Sequence, residues 1–242
     1  MTSASAFEVD ERFGTALLGE AAVLIWNDVA DEGRGEFYEW HDKEHVPERL
    51  SIPGFRRGRR FARMHHSPEW LTMYEADDVA VLTSAPYLAR LNAPTPATER
   101  ALKHFRNTSR AVCRIVRSLG ASNGGQMLAM RLAVPPKAGA AMCEYLTADA
   151  FPRAMTLTGV VACHLYAADE GASYLRTAES STRKFDVPSW VLLCEATFAE
   201  AADRARRLFD CPELHSLGVN LRSDAATYAL EICRESTPAG KR

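Results

Sequence analysis

The pattern of apolar and polar positions changes between a period of two and a helical period, and it does so twice in the same order. Alternating or fully apolar short runs are typical of strands, whereas apolar residues three and four apart are typical of helices. The first pass predicts strand, helix, strand, strand, helices and strand at residues 21–29, 36–45, 55–64, 70–75, 79–91 with 97–105, and 110–118. The second predicts strand, helix, strand, strand, helix and strand at residues 126–134, 139–149, 160–167, 190–197, 199–208 and 226–233.

A sequence echo supports this duplication. Residues 68–76 read PEWLTMYEA, and residues 188–196 read PSWVLLCEA. In both halves a proline also stands seven residues before a glycine. Self-similarity of this kind indicates a repeated structural unit, and the Ser-Asn-Gly-Gly stretch at 122–125 is typical of a linker between two units.

The repeated order β-α-β-β-α-β predicts a ferredoxin-like unit in each half. The fold class expected is α+β, with two tandem units whose antiparallel sheets pack into a pseudo-dimeric α/β barrel. We expect a loose arm at residues 1–19, a first half at residues 20–120 and a second half at residues 126–235. The second half carries a long hairpin insertion at residues 168–188, which is either a solvated excursion or a lid over a neighbouring site.

The composition and charge of the chain limit the kinds of partner that it can bind. The 242 residues are 47% hydrophobic, and the net charge of -2 offers no general field for nucleic acid or for an anionic membrane. The apolar stretches are shorter than the roughly 20 residues of a membrane helix, so we expect a cytoplasmic protein without a membrane partner. Association of two chains as a homodimer is left open. Six scattered cysteines without a C-x-x-C pair indicate packed, reduced thiols.

The candidate chemistry lies on the first predicted helix, which contains His41, Glu44 and His45. Positions four apart are neighbours on one helical face. The pair is open to three interpretations: acid-base catalysis, since histidine titrates near neutral pH; a metal site; or decoration of a solvated helix. The order H-D-K-E-H lacks the Glu that directly follows the first His in zincins. We therefore expect no metal, and we favour acid-base chemistry with His45 ahead of His41.

Six further residues are candidates for substrate binding. Arg49 suits a carboxylate or phenolate oxygen, although an ion pair with a nearby Glu remains open. Tyr38 suits a hydrogen bond to a substrate oxygen. Aromatic surface for a planar ligand is expected from Trp26, Trp70, Tyr74 and Phe105, for which core packing is the competing interpretation. The arginine-rich segment at residues 56–60 is expected to be a solvated or interface strand.

The segment FYEWHDKEHVPER at residues 37–49, followed by Ile-Pro-Gly-Phe at 52–55, resembles the helix-to-strand signature of the dimeric α/β barrel superfamily, in particular its EthD-like members. Residues 73–75 and 82–87 add to this resemblance, which is weaker over the second half. It implies a barrel with pockets between sheet and helices. Members include cofactor-free monooxygenases, isomerases, cyclases, lyases and haem enzymes, so the fold does not select a reaction.

These features predict a cofactor-independent enzyme of lyase, isomerase, dehydratase or cyclase type. Its substrate is expected to be a small, largely apolar, aromatic or polyketide-like compound, with His45 moving a proton and His41 or Glu44 orienting it. An oxygen-using enzyme, either cofactor-free or haem-dependent, is one alternative. A non-catalytic binding or stress protein is another. No phosphate loop or dinucleotide fingerprint is present in the sequence, which disfavours nucleotide and flavin cofactors.

Overall fold

The computed structural model describes residues 15–181, 185–222 and 225–237, so most of the arm predicted at residues 1–19 lies outside it. Within the described residues the strands are β1 (Ala21–Val29), β2 (Phe55–Ala62), β3 (Trp70–Ala76), β4 (Phe105–Leu119), β5 (Gln126–Ala133), β6 (Val160–Ala168), β7 (Trp190–Ala196), β8 (Asn220–Leu221) and β9 (Ala226–Glu235). No helix among them combines the length and the apolar character needed to cross a bilayer.

The long helix of each half has an unusual middle turn. Helix α1 spans residues 34–50 and is α-helical at Arg34–Trp40, π-helical at His41–His45 and α-helical again at Val46–Leu50. The remaining helices are α2 (Ala85–Asn92), α3 (Pro96–Lys103), α4 (residues 139–155, π-helical at Leu146–Ala150), α5 (Glu170–Ser173), α6 (Ala178–Ser181), α7 (Ala199–Phe209) and α8 (Pro212–Ser216). Because the π turn occurs in both α1 and α4, it belongs to the shared fold.

Eight strands close into one antiparallel barrel in the order β7-β6-β4-β1-β3-β2-β9-β5, with β5 returning to β7. Within each half the order is that of a ferredoxin-like sheet, with the first and third strands in the centre. The halves meet edge to edge, since β2 pairs with β9 and β4 pairs with β6. This confirms the predicted α+β pseudo-dimeric barrel and shows that edge-strand hydrogen bonds close it.

Alternation along the strands separates three packed layers. Side chains such as Leu24, Trp26 and Met73 point into the barrel and fill it, as expected when eight strands leave an interior of side-chain width. Their neighbours point outwards, where α1 to α3 cover the first half and α4 with α7 cover the second. A ligand must therefore bind outside the barrel, between sheet and helices.

Two buried carboxylates inside the barrel share an arginine. Glu75 and Glu195 occupy the same place in the two copies of the echoed segment, and both are fully buried. Arg59 reaches Glu195 at 2.9 Å and Glu75 at 3.1 Å. Arg57 also binds Glu75 at 2.8 Å, and His164 lies 3.3 Å from Glu195. The arginine-rich strand, expected to be solvated or to lie at an interface, lies at the interface with β9. Its side chains at 57, 59 and 60 are buried, because glutamates from both halves compensate them.

The charge on Glu195 is maintained despite its burial. Burial raises the pKa of this carboxyl, but the hydrogen bond with His164 and the charge of Arg59 outweigh burial, so the pKa falls to about 2. Removing one member of a buried ion pair leaves the other charge uncompensated. The resulting loss of folding free energy is far larger than the net contribution of the intact pair.

Some predicted elements differ from the observed ones. Pro47 was expected to end the first helix, but the helix continues to Leu50. The amide of Val46 donates to the carbonyl of His41, five residues back, and this change of hydrogen-bond register accommodates a proline that has no N–H. The helix predicted at 79–91 begins at Ala85, where Ser84 caps it. The division into domains at 20–120 and 126–235 remains a prediction.

Replacing Arg59 by methionine should lower the free energy of unfolding by about 3 kcal/mol, because Glu75 and Glu195 lose the charge between them. Urea denaturation at pH 7 measures this. Arg56→Met is the matched control, since Arg56 lies on the same strand with its guanidinium exposed and paired only with Asp77. Equal midpoints for the two variants would contradict the role given to Arg59.

Candidate functional site

A small cavity lies between the outer face of the first half's sheet and helices α1 to α3. We call it the histidine hollow; its volume is about 40 Å³. Its polar lining consists of Asn27, His41, His45, Arg49, Thr72, Tyr74, Tyr87, Arg110 and Glu179. Apolar walls come from Ile25, Phe37, Trp40, Leu91, Leu102 and Phe105.

The π turn brings both histidines against the sheet. His41 and His45 are buried, and their ring centroids are 5.6 Å apart. Turns of this kind recur at functional sites in other proteins. Here the turn is also present in α4, where Leu146 and Ala150 occupy the two positions. The side chains, not the backbone irregularity, therefore distinguish the first half.

His41 is held in one tautomer. Its Nδ1 lies 2.9 Å from Nη1 of Arg60, and an arginine only donates hydrogen bonds, so Nδ1 accepts. The proton of neutral His41 is therefore on Nε2, which faces the hydroxyl of Tyr74 at 3.5 Å. Burial lowers the pKa of His41 to about 4, opposed by Asp42 and assisted by Arg60. Near neutral pH this ring is a neutral N–H donor aimed into the hollow.

Arg60 joins the hollow to the second half. Besides His41, its guanidinium binds Asp42, and its Nε donates to Glu231 of β9 at 2.8 Å. The side chain of Arg60 is almost fully buried, at 2% exposed. An element of one half thus fixes the orientation of a histidine in the other.

His45 packs against the indole of Trp40, with ring centroids 4.3 Å apart. The indole is itself fixed, because Trp40 Nε1 donates to the hydroxyl of Thr98 at 3.0 Å. Tyr74 lies 6.1 Å from the His45 ring, measured between centroids. Burial raises the pKa of Tyr74, which keeps its hydroxyl protonated. Gly58 leaves room for this tyrosine, since a Cβ there would lie 3.0 Å from the Tyr74 ring.

Arg49 lies deep in the hollow and is already paired. Its Nη2 donates to Glu179 at 2.5 Å, and Nη1 lies 3.4 Å from Glu48. Glu179 belongs to α6, within the insertion of the second half, and the side chain is buried. The amide of Ala178 also donates to Asn92 at the end of α2, at 3.0 Å. The insertion therefore covers the site of the first half.

The structure brings five of the nine predicted site residues to the hollow: His41, His45, Arg49, Tyr74 and Phe105. The other four lie elsewhere. Trp26 points into the barrel beside Arg131, because alternate residues of a strand face opposite sides of a sheet. Trp70 packs against Phe37 beneath α1, with ring centroids 5.0 Å apart.

The remaining two predicted residues have partners outside the hollow. The carboxylate of Glu44 accepts a hydrogen bond from Thr95, the N-terminal cap of α3, so it turns away from the histidines. Tyr38 donates to Glu231 at 2.9 Å near the surface. Both residues contribute to the packing of α1 against its neighbours.

Sequence reasoning missed Asn27, Thr72, Tyr87, Arg110 and Glu179. Asn27 and Thr72 are polar residues at outward positions of otherwise apolar strands, which is a visible signal in the sequence. Arg110 does not stand out in this way, because β4 also contains Arg106, Arg114 and Arg117. Glu179 gave none, because no local pattern shows which surface an insertion covers.

The second half provides an internal comparison. Each π turn is followed by a helical segment with proline at its second position, and β1–β3 and β5–β7 pair in the same register. The hollow's polar residues His41, His45, Arg49, Asn27, Thr72 and Tyr74 therefore correspond to Leu146, Ala150, Ala154, Leu132, Leu192 and Cys194. Those counterparts form an ordinary apolar core. The fold does not require polar groups at these positions, and burying them is unfavourable.

A larger cleft of about 830 Å³ lies between β4 and α4. It borders Thr15, the first described residue, and its described lining contains no histidine. Its titratable lining consists of carboxylates, one thiol and two arginines: Glu20, Asp78, Glu144, Cys143, Arg114 and Arg117. Because it lacks the two buried imidazoles that distinguish the first half, we place the candidate site at the histidine hollow. Among the described residues no group of three or more His, Cys, Asp or Glu side chains is arranged to hold a metal ion.

Comparisons with known proteins show the fold. No family model matches the chain, and no curated protein matches it. Among solved structures, an anthrone oxidase-like protein aligns with a TM-score of 0.59 at 10% identity, covering 93% of this chain and 96% of that one. A chlorite dismutase variant from Candidatus Nitrospira defluvii aligns with a TM-score of 0.54 at 9% identity, covering 88% and 90%.

A third similar structure is a protein named as a candidate monooxygenase, from Lactobacillus acidophilus NCFM. It aligns with a TM-score of 0.51 at 10% identity, covering 90% of this chain and 97% of that one. At such identities the alignments show a shared ferredoxin-like α/β barrel architecture. They do not transfer an activity.

Replacing His41 by leucine, its counterpart in the second half, should weaken the dependence of stability on acidity. At pH 5 unfolded His41, with a pKa of 6.5, is mostly protonated, whereas the folded ring, with a pKa of about 4, is neutral. The unfolded state then binds more protons, so stability falls as pH drops from about 6.5 towards 4. Between pH 7 and pH 5 the wild type should lose about 2 kcal/mol more than His41→Leu.

Urea denaturation at the two pH values measures this difference. His66→Leu serves as the control, because His66 is an exposed histidine in the turn between β2 and β3. That variant should retain the wild-type dependence on pH. An identical loss of stability in His41→Leu and the wild type would show that His41 is not held neutral.

Proposed function

We propose that the protein is a cofactor-independent enzyme that moves a proton on a small, largely apolar carbonyl or phenol compound, in a lyase, isomerase, dehydratase or cyclase type of reaction. The observation that carries this proposal is the contrast between the halves. Polar groups line the hollow of the first half, whereas apolar residues fill the same positions in the second. Polar groups that a fold does not need, and that cost stability, are expected where function requires them.

The two histidines take different roles in this proposal. His45 acts as the base or acid, because its ring lines the hollow and is fixed by Trp40. His41 donates from Nε2 to the substrate oxygen and stabilises the negative charge that develops there. A neutral imidazole donor suits this role because it donates a hydrogen bond without adding net charge to the site. Tyr74 supplies a second hydroxyl donor beside it.

An oxygen-using enzyme is the second candidate. The names of two similar structures, anthrone oxidase-like and candidate monooxygenase, favour it. Both candidates begin with the same step, loss of a proton from carbon or from a phenol. The two candidates differ in whether the resulting carbanion or phenolate then reacts with oxygen. EthD-like kinship, suggested by residues 37–55, is part of the same proposal.

Haem does not fit beside the histidines. The Nε2 of His41 carries the ring proton, so that nitrogen has no lone pair for iron. Nδ1 of His41 is already bound to Arg60, and one face of His45 is covered by Trp40. We therefore assign no step to a haem group.

Hydrogen exchange from D₂O tests proton transfer without knowledge of the full reaction. The probes are 1-indanone, which exchanges at the carbon next to its carbonyl, and anthrone, which exchanges at the CH₂ group between its aryl rings. The wild type should accelerate deuterium uptake at these carbons, as measured by mass spectrometry. His45→Ala should reduce the acceleration by about 100-fold or more. Glu44→Gln should retain it, because that carboxylate faces Thr95. Equal rates for His45→Ala and the wild type would exclude His45 as the base.

Oxygen uptake separates the two candidate enzymes. Anthrone and O₂ give anthraquinone and water, so consumption of one O₂ per anthrone supports the oxygenase, whereas deuterium uptake alone supports the isomerase or lyase type. Binding of the probes without exchange or oxygen uptake supports a non-catalytic binding protein.

A further inference from the structure

Arg110 of β4 lines two neighbouring cavities. One is the histidine hollow. The other, which we call the insertion hollow, lies beneath α5 and α6 and has a volume of about 20 Å³. The two hollows share three lining residues: Leu91, Arg110 and Glu179. The Arg110 side chain is half-buried, so its charge is partly removed from water.

The charge of Arg110 lacks the compensation that its neighbours have. Arg49 is paired with Glu179, and Arg60 is paired with Asp42 and Glu231. Within the described residues no carboxylate lies within 4 Å of the Arg110 guanidinium, whose polar contact is the hydroxyl of Tyr87 at 3.3 Å. Arg110 thus brings to the hollow a positive charge with no described carboxylate beside it.

The fold does not require a cation at this position. In the first half Leu24 pairs with Ala111, and in the second half the corresponding Ala129 pairs with Ala226. The counterpart of Arg110 is therefore Ala225, which belongs to the apolar core beneath α7. A charged group in place of a methyl, beside the acid-base pair and without an acidic partner, is the arrangement expected for recognition of an anionic ligand.

Glu179 controls the space available to such a ligand. Neither hollow alone admits a six-membered ring, but Glu179 lies between them, on the four-residue helix α6 of the insertion and with its carboxylate on Arg49. The carboxylate of Glu179 binds the guanidinium of Arg49, which a ligand carboxylate would also suit. Movement of Glu179 away from Arg49 merges the two hollows.

We infer that the substrate is a small aromatic or similarly planar carboxylic acid, whose carboxylate is bound by Arg110 and whose entry displaces Glu179. This inference rests on the proposed function for the carbonyl or phenol end of the molecule, which faces His41 and His45. The carboxylate fixes the opposite end. Such two-point binding would orient the reacting carbon towards His45.

Calorimetric titration with 4-hydroxybenzoate and with its uncharged methyl ester tests the inference. The wild type should bind the acid more tightly than the ester. Arg110→Gln should raise the Kd of the acid about 10- to 100-fold, as expected for loss of a charge-assisted hydrogen bond, and should leave the Kd of the ester unchanged. Arg106→Gln is the matched control, since Arg106 is exposed on the same strand and its guanidinium donates to the backbone carbonyls of Lys103 and Phe105. This variant should bind both compounds as the wild type does.

Glu179→Gln should change affinity in the opposite direction. It removes the competing carboxylate from Arg49, so the acid should bind several-fold more tightly while the ester is little affected. Equal affinities for acid and ester, unchanged acid binding in Arg110→Gln, or no binding of either compound at millimolar concentration would each overturn the inference. Because binding is measured without turnover, Arg110-dependent binding together with a failure of deuterium exchange would reject the proposed function and keep the acid-binding assignment.

Discussion

The structure depends on the edge-to-edge pairing of two half-sheets, which is fastened inside the barrel by Arg59. An isolated ferredoxin-like sheet has two exposed edges, which are liable to pair with other chains. Here β2 pairs with β9 and β4 pairs with β6, so both edge strands of each half are hydrogen-bonded to the other half. Arg59 then joins Glu75 of one half to Glu195 of the other. Slippage at the seam between β2 and β9 would separate these buried charges, so the ion pairs favour a single register.

Because the barrel interior is filled, chemistry is confined to the layer between sheet and helices. There are two such layers, one in each half, and they differ in the polarity of their side chains. The layer of the second half is an apolar core. The first half replaces the same positions with histidine, arginine, asparagine, threonine and tyrosine, and it retains a small cavity there. Both layers thus contribute apolar packing, but this set of polar groups lies in the layer of the first half.

The sequence was sufficient for the architecture because the architecture depends on patterns that repeat. The periodicity of apolar residues and the echo of residues 68–76 in residues 188–196 led to the βαββαβ order, and the barrel follows from pairing two such units. The same patterns placed His41 and His45 on one face of the first helix, but they left open whether that face is buried or solvated. Continuation of α1 beyond Pro47 was not predictable, since it depends on the π turn before it.

The rest of the site was beyond sequence reasoning for definite physical reasons. The phase of β1 decides whether Trp26 or Asn27 faces the hollow, and a strand that is apolar on both faces does not reveal its phase. The burial of Arg59 and Arg60 depends on glutamates more than 130 residues away in the chain. The place of Glu179 depends on where an irregular insertion folds, which is a tertiary property.

The hairpin that carries the insertion belongs to the half that lacks counterparts of His41 and His45, yet it closes over the half that has them. In a symmetric pair of identical chains, a longer hairpin would cover both layers alike. Joining the two copies in one chain removes that constraint, since β2 and β3 keep a short connection while β6 and β7 carry a long one. Ligand preference can therefore be altered by changes in α5 and α6 alone, without touching the strands and helix that hold the reactive groups.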